Sequence, residues 1–559
     1  MSDPVKKSTS GRTLSISLLA LAILAACFLL FRQRGIESGA VPHFSIPIGK
    51  VRPALPTRIV SFHRGRADKN LIKLASQLGF NGVQFQIEGS NEAGIREFAA
   101  RDANEHLVDY CHSLGMKVTV WVHEVSDMPS LLSPNYPGPV SVDNQKIWDI
   151  LEQRYEWILK DAIPAVDGLV LTTVETQVNA TDSALMLKLV NLIDRKCREH
   201  GKSLIVRTFV WRPDELESVM GAVKKMPEDI TVMTKIVAQD WQMRGTYAAE
   251  LGAVGGRPQI VEFDVAGEYF LTNSVANCMV DLLHRQFDYA VAKGAQGICV
   301  RVDRGDDSVL FEPSEVNLWA LGMLAAGATS DGNEIWNRWA TYRYGASAAP
   351  GIVKTLKPTS EVIAEMLSVG PFTLGDTRLY SGATRSYLPQ PTADIFSQNW
   401  QNWKWDPAKY SPIRDQAETG DSGFVAELQK QKAAALALAE QSLRDLEDVR
   451  SKLTERDYRI LYTRLISNKA HLQFRTIVAL AAEHYRQYQN AKTPQEIAAA
   501  AAAYKKDMAD AKTLADSLHA YPKMESIQYA GKWWQVNYPP NITPEEIIGW
   551  ANGAQKLIQ

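Results

Sequence analysis

From Arg58 onward, short runs rich in Val, Ile, Thr and aromatic residues alternate with longer stretches in which apolar positions recur every three or four residues. The short runs read as strands and the longer ones as amphipathic helices. Eight strands are expected, over 58–65, 82–89, 117–125, 168–176, 203–211, 230–241, 259–269 and 297–305. Between them lie helical patterns such as NEHLVDYCHSLG and ALMLKLVNLIDRKCREHG. These two end in Gly115 and Gly201, as helices commonly do, because glycine accepts the left-handed conformation that closes a helix.

Eight β-then-α units without a hairpin signal imply parallel strands. Closure at eight gives an α/β fold, a (β/α)₈ barrel of the TIM type over 58–345. The alternative is a doubly wound open sheet. Against it, SFHRGRAD stands where a Gly-rich phosphate loop would follow the first strand. WALGMLAAG (319–327) and EIWNRWATYRYG (334–345) are expected to close the barrel.

Residues 346–420 read as an irregular, aromatic-rich connection containing Trp400, Trp403 and Trp405. Residues 421–559 read as a C-terminal α-helical domain, with three or so long helices between about Phe424 and Ala520. The alanine run 498–503 fits helix propensity and carries no further signal.

The other end of the chain carries a different pattern. Lys6, Lys7 and Arg12 precede an apolar run from Leu14 to Phe31, and Arg32 and Arg34 follow it. Residues 1–35 are expected to be a signal or membrane-anchor segment and 36–57 a tether. Leu24-Ala25-Ala26-Cys27 resembles a lipobox, which would make Cys27 an acylated N-terminus. The run continuing past Cys27 instead suits an uncleaved membrane-spanning anchor. Both readings place the body on the exported side of a bacterial envelope.

Composition narrows the partners. The 559 residues carry a formal net charge of −2 and no long basic run, which argues against nucleic acid. Fourteen tryptophans and nineteen tyrosines suit flat sugar rings, and equally suit the packing of a large barrel. The five cysteines show neither metal-ligand nor disulfide-framework spacing, and four fall in expected helices or strands as buried thiols. No cofactor and no metal are expected. Self-association as a homodimer through the helical C-terminal domain stays open.

In such a barrel the chemistry sits at the C-terminal strand ends. Those ends carry Glu88, His123-Glu124, Glu175, Arg207, Trp211-Arg212, Lys235, Asp240, Glu268-Tyr269, Arg301, Asp303 and Arg304. Carboxylates gathered at one mouth raise one another's pKa, a cost that paired acid/base chemistry justifies, and glycoside hydrolysis is the leading case. Taken singly, each acid is more often a helix cap or an ion-pair partner.

Strands four to eight resemble glycoside hydrolase family 67, the α-glucuronidases of xylan breakdown. GLVLTTVETQ is similar to the strand bearing that family's general acid, which falls on Glu175. SLIVRTFVW resembles "WRAFVY" and puts Arg207 on the family's arginine. TVMTKIVAQDWQ resembles "VQIKNGPIDFQ", aligning Lys235, Asp240 and Gln242, and VEFDVAGEY resembles "EFQITQEY", aligning Glu262, Glu268 and Tyr269. The resemblance covers roughly residues 160–345. It implies Glu175 as general acid and Asp240 or Glu268 as the base. The placing of strand four relative to strands six and seven suits the wide carboxyl gap of inversion, so an inverting, exo-acting enzyme on a uronic-acid-bearing glycan is expected.

Arg207 and Lys235 are expected to bind a substrate carboxylate or sulfate, or to neutralise Asp240 and Glu268, and Glu124, Trp211, Tyr269 and Asp303 complete the substrate-binding set. Leu171 stands where the family has a lysine, so a related but distinct specificity is expected. Two other readings remain: a retaining glycosidase using Glu175 and Glu268, and a non-catalytic, surface-tethered glycan-binding barrel.

Overall fold

A computed structural model describes residues 44–63, 69–87, 92–123, 140–172, 182–210, 212–238, 243–265, 274–304, 307–373, 406–529 and 532–558. All eight expected strands form. They are β1 (Thr57–Phe62), β2 (Gly82–Gln86), β3 (Lys117–His123), β4 (Gly168–Thr172), β5 (Ser203–Arg207), β6 (Thr231–Lys235), β7 (Gln259–Asp264) and β8 (Gly297–Arg301). Each pairs in parallel with its sequence neighbour, and β8 returns to β1, closing the barrel.

Because helices cover the outside and side chains fill the inside, the strands are buried on both faces and read as near-continuous apolar runs. Outward residues such as Val60, Phe62, Val118, Leu169, Val232 and Phe263 join the helices in one large core.

The covering helices are α1 (Lys69–Gln77), α2 (Glu92–Glu105), α3 (Leu107–Ser113), α4 (Gln145–Trp157), α5 (Ser183–Glu199), α6 (Pro213–Val223), α7 (Val280–Ala292) and α8 (Glu315–Ala325). Gly115 and Gly201 take the left-handed conformation expected of them, at φ 71° and 68°. Every residue of α8 is buried. A methyl group at its Gly322 would come within 3.0 Å of the Leu78 carbonyl, so only glycine lets this helix lie so close to its neighbour.

The alternation breaks once. No helix is formed by the described residues between β6 and β7; instead Val237 bridges Tyr247 in antiparallel fashion. Gly252, Gly255 and Gly256, all at positive φ, explain why no helix follows. The expected strand 230–241 accordingly stops at Lys235.

After the barrel come α9 (Gly332–Tyr344), α10 (Ala349–Leu356), α11 (Thr359–Met366), the short pair β9–β10 having preceded α8 at Asp303–Arg304 and Asp307–Ser308. The stretch 346–420, read as irregular, is therefore helical in part, since it also holds α12 (Pro407–Thr419) beyond the small pair β11 (Ser368–Val369) and β12 (Phe372–Thr373). Short helices punctuated by Pro358 and Gly370 blurred the 3.6-residue period there. Residues 374–405, with the three tryptophans, lie outside the described residues.

The C-terminal region has the expected long helices: α13 (Ser422–Val449), α14 (Glu455–Asn490) and α15 (Pro494–Leu518), then α16 (Pro544–Gln555). Capping boxes start two of them, where Thr493 and Thr543 exchange hydrogen bonds with Glu496 and Glu546 and proline fills the first helical position. A hairpin, β13 (Glu525–Tyr529) and β14 (Lys532–Val536), was not expected.

Side chains from α14 stitch this region to the barrel. Arg464 pairs with Glu312, and Asn468 both donates to and accepts from the backbone of Ala276. Among the described residues no helix is long and apolar enough to cross a membrane. The expected anchor and Cys27 lie outside those residues. The four described cysteines are free and buried.

Candidate active site

Alternate side chains of each strand enter the barrel, and their character changes along the axis. In the lower layer Ile59, Trp121, Val170, Ile205, Met233, Ile260 and Cys299 form a closed apolar cluster. Two residues further along, the inward positions carry Thr172 on β4, Arg207 on β5, Lys235 on β6, Glu262 on β7 and Arg301 on β8, followed by Asp264 and Asp303. The ionisable members of this upper layer are at most 7% exposed. Withdrawing each from water costs several kcal/mol, so each needs compensation nearby.

The compensation is visible. Arg207 Nε donates to Glu262 Oε2 at 2.5 Å and Nη2 donates to Oε1 at 3.3 Å, while Nη1 reaches Thr172 Oγ1 at 3.3 Å. The same guanidinium lies over the rings of Trp121 and Phe209, at 4.7 and 4.9 Å. Lys235 Nζ sits 3.5 Å from the centre of the Phe209 ring, a cation–π contact. Arg301 Nε is 4.0 Å from Glu262 Oε1.

On the far side of the mouth, Asp303 accepts the backbone N–H of His63 at 2.5 Å. Burial pushes its carboxyl up to about 8 against the pull of that amide, Arg301 and Lys532, and neighbouring Asp264 pushes the same way. At neutral pH Asp303 therefore holds its proton and can donate a hydrogen bond. Below it, burial and the adjacent Glu262 hold the Cys299 thiol well above its usual range, so it is not a nucleophile.

Among the described residues no group of three or more His, Cys, Asp or Glu is gathered to hold a metal ion. The described upper layer thus sets three basic side chains, Arg207, Lys235 and Arg301, among three acidic ones, Glu262, Asp264 and Asp303.

Four of the residues expected at the strand ends are brought together here: Arg207, Lys235, Arg301 and Asp303. Arg207 does not stand open to a ligand; its fork is filled by Glu262. The expected catalytic set, Glu175, Asp240 and Glu268, lies outside the described residues, as do Glu124, Trp211 and Tyr269. The preceding strands β4, β6 and β7 all end at this mouth.

Sequence reading passed over Asp264, although the signal was present. In VEFDV two acids two residues apart interrupt an apolar strand, which sets both on its inner face. It also passed over Lys532, which lies in another part of the chain and gives no local sign.

The fold and this mouth define a (β/α)₈ barrel whose upper layer is charged and buried. No family model matches the chain, and no curated protein matches it by sequence. Among solved structures it is similar to a glycoside hydrolase family 138 enzyme targeting pectin rhamnogalacturonan II. The TM-score is 0.59 at 11% identity, over 89% of this chain and 67% of that one. It is also similar to a family 115 4-O-methyl-α-glucuronidase with specificity for decorated arabinogalactans. There the TM-score is 0.44 at 12% identity, over 82% of this chain and 58% of that one. A Thermobaculum terrenum O-GlcNAc hydrolase aligns at a TM-score of 0.36 and 12% identity, over 75% of this chain and 95% of that one. These neighbours are glycoside hydrolases; at such identities the likeness shows the fold alone. Family 67 is not among them.

Proposed function

We propose that this chain is an exo-acting, inverting glycoside hydrolase of an acidic, uronic-acid-bearing polysaccharide or oligosaccharide. The observation that supports this most is the upper layer of the barrel. Six buried ionisable side chains converge at the strand ends, where barrel enzymes carry out their chemistry.

In this reading Glu175, three positions beyond the end of β4, is the general acid and protonates the leaving glycosidic oxygen. Asp240, five beyond β6, or Glu268, four beyond β7, takes a proton from the water that attacks the anomeric carbon. The C–O bond breaks as the new one forms, and the anomeric configuration inverts. Inversion needs carboxyls about 6.5–9.5 Å apart, with room for the water. In the ring of eight, β6 and β7 stand two and three strands round from β4, so their acids would face Glu175 across part of the mouth. Asp303 in its protonated state would donate to a substrate oxygen. The chain would be exported and held at a membrane by its first 35 residues, through a spanning anchor or an acylated Cys27.

The test is a hydrolysis screen over acidic and neutral oligosaccharides, pectic ones first, with product anomers followed by NMR. A first-formed product of inverted configuration is expected, and a retained anomer would overturn inversion. Glu175→Gln should lower the rate by several orders of magnitude while glycan binding persists. A wild-type chain that binds glycan and hydrolyses none of the panel would instead be a binding barrel.

A further inference from the structure

The hairpin β13–β14 stands against the turn that follows β8, and its two faces are unlike. Tyr529, Trp534 and Val536 are buried, whereas Gln528, Trp533 and Gln535 are exposed, Trp533 by 69%. Lys532 pairs in register with Tyr529, and directly opposed residues share a face, so Lys532 belongs to the inner side with Trp534.

That inner side meets the barrel. The Tyr529 ring lies 5.4 Å from Phe311, and the Trp534 ring lies 5.6 Å from the guanidinium of Arg464, which itself grips Glu312. Phe311 is held at φ 66°, a conformation that costs a non-glycine residue and persists only where surroundings enforce it. The contacts with Tyr529 and with Arg343 do so here.

Lys532 is half-buried on this face, and its side chain makes no hydrogen bond or ion pair with any described residue. Its charge nevertheless reaches two buried carboxyls of the barrel, Asp303 at the mouth and Glu312 at the turn. The other cations of the mouth are engaged: Arg207 by Glu262, Lys235 against Phe209.

We propose that Lys532, delivered by the C-terminal hairpin to the inner face beside the β8 turn, binds a carboxylate of the glycan, so that the barrel's substrate site is completed by the C-terminal region. This rests on the reading of the ligand as an acidic glycan. A lysine suits the task as a compact point charge on a flexible stem that reaches the carboxylate without a fixed bidentate geometry.

Isothermal titration with oligogalacturonates, and with the same oligomers after reduction of their carboxyls to alcohols, tests it. The wild type should prefer the acid form by about 10- to 100-fold, the worth of one charge-assisted hydrogen bond. Lys532→Ala should lose that preference with its thermal transition unchanged, and Lys532→Arg should keep most of it. Trp533→Ala, on the outer face of the same hairpin, should leave it intact. The proposal is overturned if the wild type binds neither oligomer or shows no preference, if Lys532→Ala retains the preference, or if Trp533→Ala abolishes it. Hydrolysis measured in parallel separates the two readings. Acid preference without turnover of any glycan would sink the enzyme and leave this site, and turnover of a neutral glycan without acid preference would do the reverse.

Discussion

Two arginine–glutamate pairs, each almost sealed from water, lie in different regions of this molecule and appear interchangeable by geometry alone. In the barrel throat Arg207 and Glu262 are 1% and 0% exposed; at the seam between barrel and C-terminal region Arg464 and Glu312 are both 1% exposed. Both pairs are two-pronged, the seam pair at 3.0 Å on each prong. Their surroundings differ. Around the throat pair stand Lys235, Arg301, two aromatic rings and the strand ends from which the expected acids follow. Around the seam pair stand a backbone carbonyl of Gln535, the Trp534 ring and the strained turn at Phe311. A buried ion pair is weak evidence of stability, because desolvation can consume the attraction. What the two pairs share is cost, and what separates them is where their charges are aimed.

The largest effects should come from breaking each pair on one side only. Glu262→Leu and Glu312→Leu each strand a guanidinium in the interior, and each should cost about 3–5 kcal/mol in chemical unfolding. Removing both partners should then tell the regions apart. Arg464→Met with Glu312→Leu should be neutral or stabilising by up to about 4 kcal/mol, with catalytic rates close to wild type. Arg207→Met with Glu262→Leu should fold comparably yet lose roughly 10²-fold in kcat/KM, as a throat relieved of its charges no longer fixes the substrate. Equal rates in the two double variants would remove the functional distinction between throat and seam.

A smaller effect is expected one turn along α14. Asn468 gives its amide to the Ala276 carbonyl and takes the Ala276 N–H, at 2.8 and 3.0 Å, tying the segment after β7 to the C-terminal region. Asn468→Ala leaves two buried backbone groups without partners, which should cost about 1–3 kcal/mol each at most. Asn468→Asp keeps the acceptor and should recover part of it. Differential scanning calorimetry checks both, and a wild-type transition in Asn468→Ala would mean that the seam does not depend on this clasp.

The barrel was legible because its strands are short, β-branched and separated by helices of clear period, and all eight appear where the apolar runs predicted. What ran past their observed ends looked strand-like because the residues just after a barrel strand are still apolar and buried, as Ile236, Val237 and Val265 are. The missing helix after β6 was written in its glycines, but alternation elsewhere masked it. In the site, Arg207, Lys235, Arg301 and Asp303 were readable from strand position alone. The pairing of Arg207 with Glu262 was not, because the two lie on strands that are adjacent in space only through β6. Lys532 was beyond reach for a stronger reason: its place beside the turn after β8 depends on how a distant hairpin folds back, which no local pattern encodes.

The gentlest probe of the throat is proton linkage at Asp303. Its carboxyl titrates near 8 in the fold, chiefly because it is buried, and near 3.8 when the chain is open. The folded state therefore binds the proton more tightly, and stability falls as pH rises from about 4 to about 8, then levels off above the folded value. Asp303→Asn keeps the shape and a hydrogen-bond donor while abolishing the titration. Its thermal stability relative to wild type should thus climb steadily between pH 5 and pH 8, and the alkaline fall in wild-type activity should be absent from the variant if the neutral carboxyl is what the substrate meets. The corresponding seam carboxyl, Glu312, is also raised by burial against the pull of Arg464, so Glu312→Gln should gain on wild type in the same direction as pH rises. A stability difference for Asp303→Asn that stays flat across this range would mean that the carboxyl is ionised in the throat, and with it the picture of a hydrogen-bond donor waiting beside the substrate would fall.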